Sequence, residues 1–363
     1  MKNVVIYCPE HSSNIFHYHL SQVSGSHIPD NWTFCHNIDV FFSVSGKKIA
    51  CFQIPYPYDD YIEKELDRIL PDVDLVLIIA SELHTPTVDF IRKYDHKKII
   101  YFVCGYLHFR MEHAYVDKFL DWFTTTVNFY KYIKPSILFD LRPHDPKPLM
   151  FDALLGRKKL HRDIAYEYIQ NNGLSDQGLV TYMNTHQMQF GSATDQQWVW
   201  GTQGIDNMDQ VLQHSWTVEP VEYYGYPVAL SQIIPIDIYN QTAYSLVCET
   251  NHDNEFTFYT EKTVKPILAR RLFIMLGNRW SLAGLRRLGF KTFQGIIDED
   301  YDNIEGQVER HLAAMEQMKW LCSQDQSHIL SKVADIVNHN FDRMYSNDWY
   351  NLFKQPFGYH FYN

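Results

Sequence analysis

Tyr244-Ser-Leu-Val-Cys248-Glu249-Thr250-Asn251 is followed, after a mostly polar loop, by Tyr259-Thr-Glu-Lys262-Thr-Val-Lys-Pro266-Ile-Leu-Ala269-Arg-Arg-Leu272-Phe-Ile-Met-Leu276. The first apolar run predicts a buried strand over Tyr244–Cys248. The spacing of Lys262–Ala269 predicts a helix, and Leu272–Leu276 predicts a second strand. Strand, helix, strand is the signature of a βαβ unit and a largely parallel sheet. The first strand ends in a carboxylate, and the next helix opens on a second carboxylate and a lysine. In open α/β sheets, ligands bind outside the carboxyl ends of the strands. Carboxylates there suit ribose or sugar hydroxyls, and Lys262 suits a phosphate. Plain helix capping by Thr260 and Glu261, with Lys262 on the surface, would produce the same letters.

Working outward, Met150-Phe-Asp-Ala-Leu-Leu-Gly156-Arg157-Lys158-Lys159-Leu160-His161-Arg162-Asp163 repeats the theme. A strand (Met150–Leu155) runs into a glycine, a basic cluster and a helix (His161–Gln170). Free N–H groups at a helix start favour an anion, and arginine supplies paired donors to phosphate oxygens. The reading is a pyrophosphate site; a solvated basic turn is the alternative. The GxxxxGK[ST] and GxGxxG spacings are both missing. Gly178–Tyr182 predicts another strand, Leu282–Leu288 a helix, and the chain from about Ile304 two closing helices. The stretch 185–230 is polar and irregular. Its Trp198 and Trp200 suit either a stacking surface or core packing.

The N-terminal half alternates in the same way. Strands are expected at Val4–Cys8, Val40–Val44, Ile49–Ile54, Leu75–Ala80 and Lys98–Val103. Helices are expected at Tyr61–Leu70, after Thr85-Pro86, and over Arg110–Thr125. Four prolines between Lys134 and Pro148 break helices and predict a linker. The architecture drawn is two Rossmann-like halves facing one cleft: residues 1–140 and 149–340, with a helical tail over 341–363.

The chain has 363 residues, enough for about two domains. A hydrophobic fraction of 45% excludes a disordered chain, and 32 basic against 43 acidic residues, a net charge of −11, disfavour a general nucleic-acid or membrane-surface binder. No run is long and apolar enough for a signal peptide or a membrane span. The six cysteines are far apart and mostly inside apolar runs, which predicts free thiols in a reducing, cytoplasmic setting.

The stretch from Ser245 to Asp302, with S-L-V-C-E-T-N and Y-T-E-K at its centre, resembles the donor-binding motif of α-1,3-fucosyltransferase-like glycosyltransferases. It is also similar to glycosyltransferase-like proteins of bacterial and phage genomes. The resemblance covers about a sixth of the chain. It implies an α/β GT-B fold and metal-independent transfer, with inversion, from a nucleotide-diphosphate sugar to an acceptor hydroxyl on a glycan or a hydroxymethylated DNA base. No cofactor beyond that donor is expected. It also implies that Glu261 holds the ribose, Lys262 the pyrophosphate, and Glu249 and Asn251 the donor sugar or ribose. Tyr259 and Thr260 belong to the same motif, and Arg157 or Arg162 would match the family's phosphate-binding arginine. Thr250 stands where the family carries Asn, which leaves the donor sugar unassigned.

Inverting transfer needs a general base near the acceptor hydroxyl. Strand Leu75–Ala80 ends in Ser81-Glu82-Leu83-His84-Thr85-Pro86, similar to a fucosyltransferase strand end, so Glu82 is the first candidate. Glu10 and His11, just past the first strand, are the rivals. Turn capping would explain all three. The acidic triplets at Asp72–Asp74 and within Asp298–Asp302 sit where loop ends would, so no metal site is expected. A non-catalytic nucleotide- or sugar-binding module is the alternative to an enzyme.

Overall fold

Continuous apolar runs, which suit strands covered on both faces, become the strands of two parallel sheets in the computed structural model. It describes residues 3–9, 30–54, 58, 60–80, 85–118, 120–183, 198–200, 221–223, 226–228, 232–252 and 255–362. The chain divides into two units. One is Met1–Thr124 with Asn254–Phe258 and Asp348–Asn363; the other is Thr125–Asp253 with Tyr259–Asn347.

The first unit contains β1 (Val4–Tyr7), β2 (Trp32–Cys35), β3 (Lys47–Gln53), β4 (Leu75–Ala80), β5 (Ile99–Val103), β6 (Tyr106–Leu107) and β7 (Tyr115–Lys118). Its main sheet runs β2-β1-β3-β4-β5-β7, with every neighbouring pair parallel. Helices α1 (Ile38–Ser43), α2 (Tyr61–Ile69) and α3 (Thr85–Lys93) alternate with the strands. In α2 the buried residues are Ile62, Leu66 and Ile69, one face of a helix.

Two expectations fail here. Val40–Val44 is not a strand. Asn37 caps a helix instead, its side chain accepting from the N–H groups of Asp39 and Val40, while Ile38 and Phe41 turn one apolar side inward. The missing strand is β2, whose burial is mixed. Arg110–Thr125 is not one helix. The Asp95 carboxylate accepts the backbone N–H groups of Glu112, His113 and Ala114 and turns the chain. Tyr115–Lys118 then adds to β5 as a strand, and α4 (Asp121–Asn128) starts only afterwards.

In the second unit a π-helical turn (Phe129–Ile133) and a 3-10 helix (Pro135–Asp140) lead into β8 (Leu149–Arg157), α5 (Leu160–Asn171) and β9 (Gly178–Met183). There follow β10 (Trp198–Trp200), β11 (Val221–Tyr223), β12 (Tyr226–Val228), α6 (Ile236–Gln241) and β13 (Thr242–Cys248). The strand β14 (Phe256–Thr257) pairs with β6 in the first unit's own set of residues, and α7 (Glu261–Leu268), β15 (Leu272–Leu276) and α8 (Ser281–Arg287) complete the βαβ core. Helices α9 (Gln307–Cys322) and α10 (Gln326–Ser346) close this unit, while α11 (Asn351–Tyr362) belongs to the first. The sheet order is β10-β9-β8-β13-β15; β10 alone among these strands runs antiparallel. The order reverses between β8 and β13, the point at which an open parallel sheet leaves a crevice. Both units are thus α/β with parallel strands, compatible with a Rossmann-like arrangement.

A buried ion pair ties this sheet together. Arg271 donates to Asp152 at 2.7 Å and to Ser245, Thr242 and three backbone carbonyls. Its donors are matched to nearby oxygens, the condition under which a buried pair is tolerated. Among the described residues no helix is long and apolar enough to cross a membrane.

Candidate functional site

At the carboxyl end of β13, Glu249 continues the ladder by donating its N–H to the Leu276 carbonyl. Its side chain is 2% exposed and turns toward the start of α7. One carboxylate oxygen accepts the Thr260 N–H and the Thr263 hydroxyl; the other accepts the Thr260 hydroxyl at 2.7 Å and the Thr250 N–H at 3.1 Å. Four donors on two oxygens make Glu249 a joint that fixes the helix start. Thr260 is the N-cap of α7, its hydroxyl accepting the Lys262 N–H. Tyr259 is fully buried and donates to the Ser281 carbonyl, so it packs the motif in place.

With that start fixed, α7 presents Glu261 and two lysines. Glu261 is buried and accepts from Lys262 Nζ at 2.7 Å. Burial opposes its charge, but Lys262 and Lys265 outweigh that effect and hold the carboxyl below its ordinary range. Burial pulls the Lys265 ammonium down to about 8, against the attraction of Glu261. The α7 amino terminus adds the positive end of a helix dipole.

The end of β8, where the strand pairing is irregular between Leu154 and Arg157, adds a second group of cations. Gly156 has φ +58°, a left-handed conformation that costs glycine nothing. The Arg162 guanidinium lies beside it, one nitrogen 3.4 Å from where a Gly156 Cβ would stand, and the residue is 6% exposed. Lys159 Nζ donates to the Thr250 carbonyl at 2.8 Å, and Lys262 Nζ reaches the Thr250 hydroxyl at 3.4 Å. Two ammonium groups from two different helix starts therefore meet on Thr250. Lys158 pairs at 3.9 Å with Asp163. The Arg157 backbone ends β8, while its side chain lies outside the described residues. Asn251 is 7% exposed in the same strand-end loop.

Three histidines behind this loop carry no sequence signal. His161, fully buried on α5, donates from Nε2 to the Glu249 carbonyl at 2.9 Å and stacks on His252 with ring centroids 4.1 Å apart. The His311 ring of α9 has its centroid 5.8 Å from that of His161, and His252 donates from Nδ1 to the Gln307 side-chain oxygen at 2.7 Å. Arg310 donates to the carbonyls of His252 and Gly277 and so fixes both strand-end loops. Burial, then the neighbouring His252 and Arg162, hold His161 well below its ordinary value. Burial and Arg310 bring His311 to about 3. Spacings of about 90 and 60 residues hide this cluster from a reading of local motifs.

The base candidates Glu82, Glu10 and His11 lie outside the described residues, and so does most of the stretch 185–230. Trp198 and Trp200 are on β10, with side chains outside the described set. The acidic triplets are structural. Asp74 accepts the Lys48 N–H, and Asp302, expected as a solvated loop end, is buried and caps α8 through the N–H groups of Leu282 and Ala283. Among the described residues no group of three His, Cys, Asp or Glu stands in metal-holding geometry. Comparison of the sequence with protein-family models and with curated proteins gives no match.

Proposed function

We propose that this chain is an inverting glycosyltransferase of GT-B architecture whose second unit holds a nucleotide-diphosphate sugar. The observation that carries the reading is the meeting of Lys159 and Lys262 on Thr250, at the crevice where the β8–β13 sheet reverses its order. Two ammonium groups, a helix amino terminus and the Arg162 guanidinium match the charge of a pyrophosphate. In this reading Lys262 exchanges its weak contacts with Thr250 and Thr260 for a phosphate oxygen. Glu261 stays ionised between Lys262 and Lys265 and accepts from the ribose hydroxyls. Glu249 does not touch the donor; it holds Thr260 so that Glu261 and Lys262 are correctly placed.

As the bond from the anomeric carbon to phosphate breaks, charge builds on the departing diphosphate, and the lysines stabilise it where it develops. The acceptor hydroxyl attacks the opposite face and loses its proton to a base, with Glu82 first in line and Glu10 and His11 next. The acceptor is a glycan, or a hydroxymethylated base in DNA, and the setting is the cytoplasm.

Calorimetry with GDP and UDP tests the donor half. Lys262→Ala should weaken binding about tenfold to a hundredfold, the value of a charged hydrogen bond, with the fold intact. Unchanged affinity removes the donor assignment. Glu82→Gln tests the catalytic half: transfer should fall by about 10²–10⁴ with donor binding near wild type. Donor binding with no transfer to any acceptor would favour the non-catalytic sugar- or nucleotide-binding module instead.

A further inference from the structure

The first unit carries a second constellation, at the carboxyl ends of β5 and β7. A cavity of about 310 Å³ opens there, with an apolar floor that includes Val103, Met111, Ala114 and Val116. Its walls are aromatic: Tyr106, Phe109 and Tyr115. Two of these rings are held before any ligand arrives. The Arg92 guanidinium lies 4.3 Å from the Phe109 ring centroid and is itself paired with Glu255. Lys118 Nζ lies 5.1 Å from the Tyr106 ring centroid. The short β6–β14 ladder steadies the wall, helped by the bond between His108 Nε2 and the Thr257 hydroxyl at 2.7 Å. Gly105 is required beneath it, because a Cβ there would stand 1.9 Å from the Thr257 carbonyl oxygen.

The rim is polar and balanced. Asp117 and Lys118 end β7 and line the cavity, so one acidic and one basic residue border it. The Asp117 carboxylate is oriented by the Lys118 N–H, which it accepts at 2.7 Å. An anion site would gather cations, a cation site would gather carboxylates, and a purely apolar ligand would need neither. One acceptor beside one donor, over aromatic walls, suits a neutral ligand that has an apolar face and several hydroxyls. The volume lies at the small end of ligand sites, which run from about 300 to 1,000 Å³, and admits one ring.

We propose that this cavity binds a single neutral pyranose ring, its C–H face against the aromatic wall and its hydroxyls on Asp117 and Lys118. The inference goes beyond the donor-site reading and does not depend on it. A nucleobase would use the same walls, but among the described lining residues Lys118 alone is cationic, which gives a polynucleotide little to hold its phosphates.

Saturation-transfer NMR on the full chain tests the assignment. The probes are the methyl glycosides of glucose, galactose, mannose and fucose at millimolar concentration, with adenosine and cytidine as planar controls. At least one pyranoside should receive saturation through its ring protons. Tyr115→Ala should weaken it about threefold to tenfold, and Asp117→Ala about tenfold or more. Tyr115 is 57% exposed, so its removal leaves the core intact, which circular dichroism verifies. Saturation of no pyranoside overturns the proposal. So does saturation of the nucleosides alone, or of a pyranoside whose affinity neither substitution changes. GDP and UDP affinity of Tyr115→Ala, measured in parallel, should match wild type, which keeps failure here separate from failure of the donor site.

Discussion

Three carboxylates in the second unit show how one functional group takes three roles according to its neighbours. Asp152 balances Arg271, Glu249 accepts four donors to set a helix start, and Glu261 sits between two lysines near the crevice. Of these, Glu249 offers the cleanest separation of structure from binding. Glu249→Gln keeps the shape but turns an amide donor toward groups that are themselves donors. Stability in urea should fall by about 1–3 kcal/mol, the cost of leaving buried donors unmatched. Nucleoside-diphosphate affinity should then fall only as far as α7 loses its fixed start, and Lys262→Ala in that background should add correspondingly less than it does alone. The Thr-Glu-Lys run was legible because a cap, a carboxylate and a lysine are neighbours along the chain. Thr250 as the meeting point of two lysines was not, since Lys159 reaches it from 91 residues away.

At the level of elements, the buried parallel strands could be read from sequence because their apolar runs are continuous. The runs at Leu75–Ala80 and Leu272–Leu276 fall on β4 and β15 to the residue. Failures came where a polar side chain overrides the pattern. The apolar letters after Ile38 look strand-like, yet Asn37 supplies acceptors for two free N–H groups and nucleates α1. Asn37→Ala should cost about 1 kcal/mol, measured by thermal or urea unfolding, and amide hydrogens at the start of α1 should exchange faster. A helix held by its apolar face alone would show neither change. The end of the expected helix at Arg110 has the same origin: Asp95 reaches three N–H groups in a turn that hydrophobic periodicity does not register.

For the whole molecule, pH is the variable that reaches several layers together. His161 and His311 are neutral in the fold because burial and nearby cations disfavour their charged forms. Unfolded, both would titrate near the ordinary value of about 6.5. The unfolded chain therefore binds more protons below that value, and stability falls as pH drops from about 6.5 toward about 3. Two such groups give a limiting slope of about 1.4 kcal/mol per pH unit each. Asp152, Glu299 and Asp302, raised by burial, act in the opposite sense, but only as pH enters the carboxylate range. Urea denaturation between pH 7 and 5 should show the loss, and His311→Leu should flatten it; a level profile would place the compensating charge elsewhere. The return of Asp348–Asn363 to the first unit, where Phe357 packs on Phe102 and Trp349 on Phe123, bears on synthesis. A ribosome makes the first 124 residues long before those aromatic partners exist. At ~5–20 residues per second, roughly 10–45 s separate the two. Throughout that interval Phe102 and Phe123 wait without these aromatic partners, so the first unit completes its packing only when the last residues emerge.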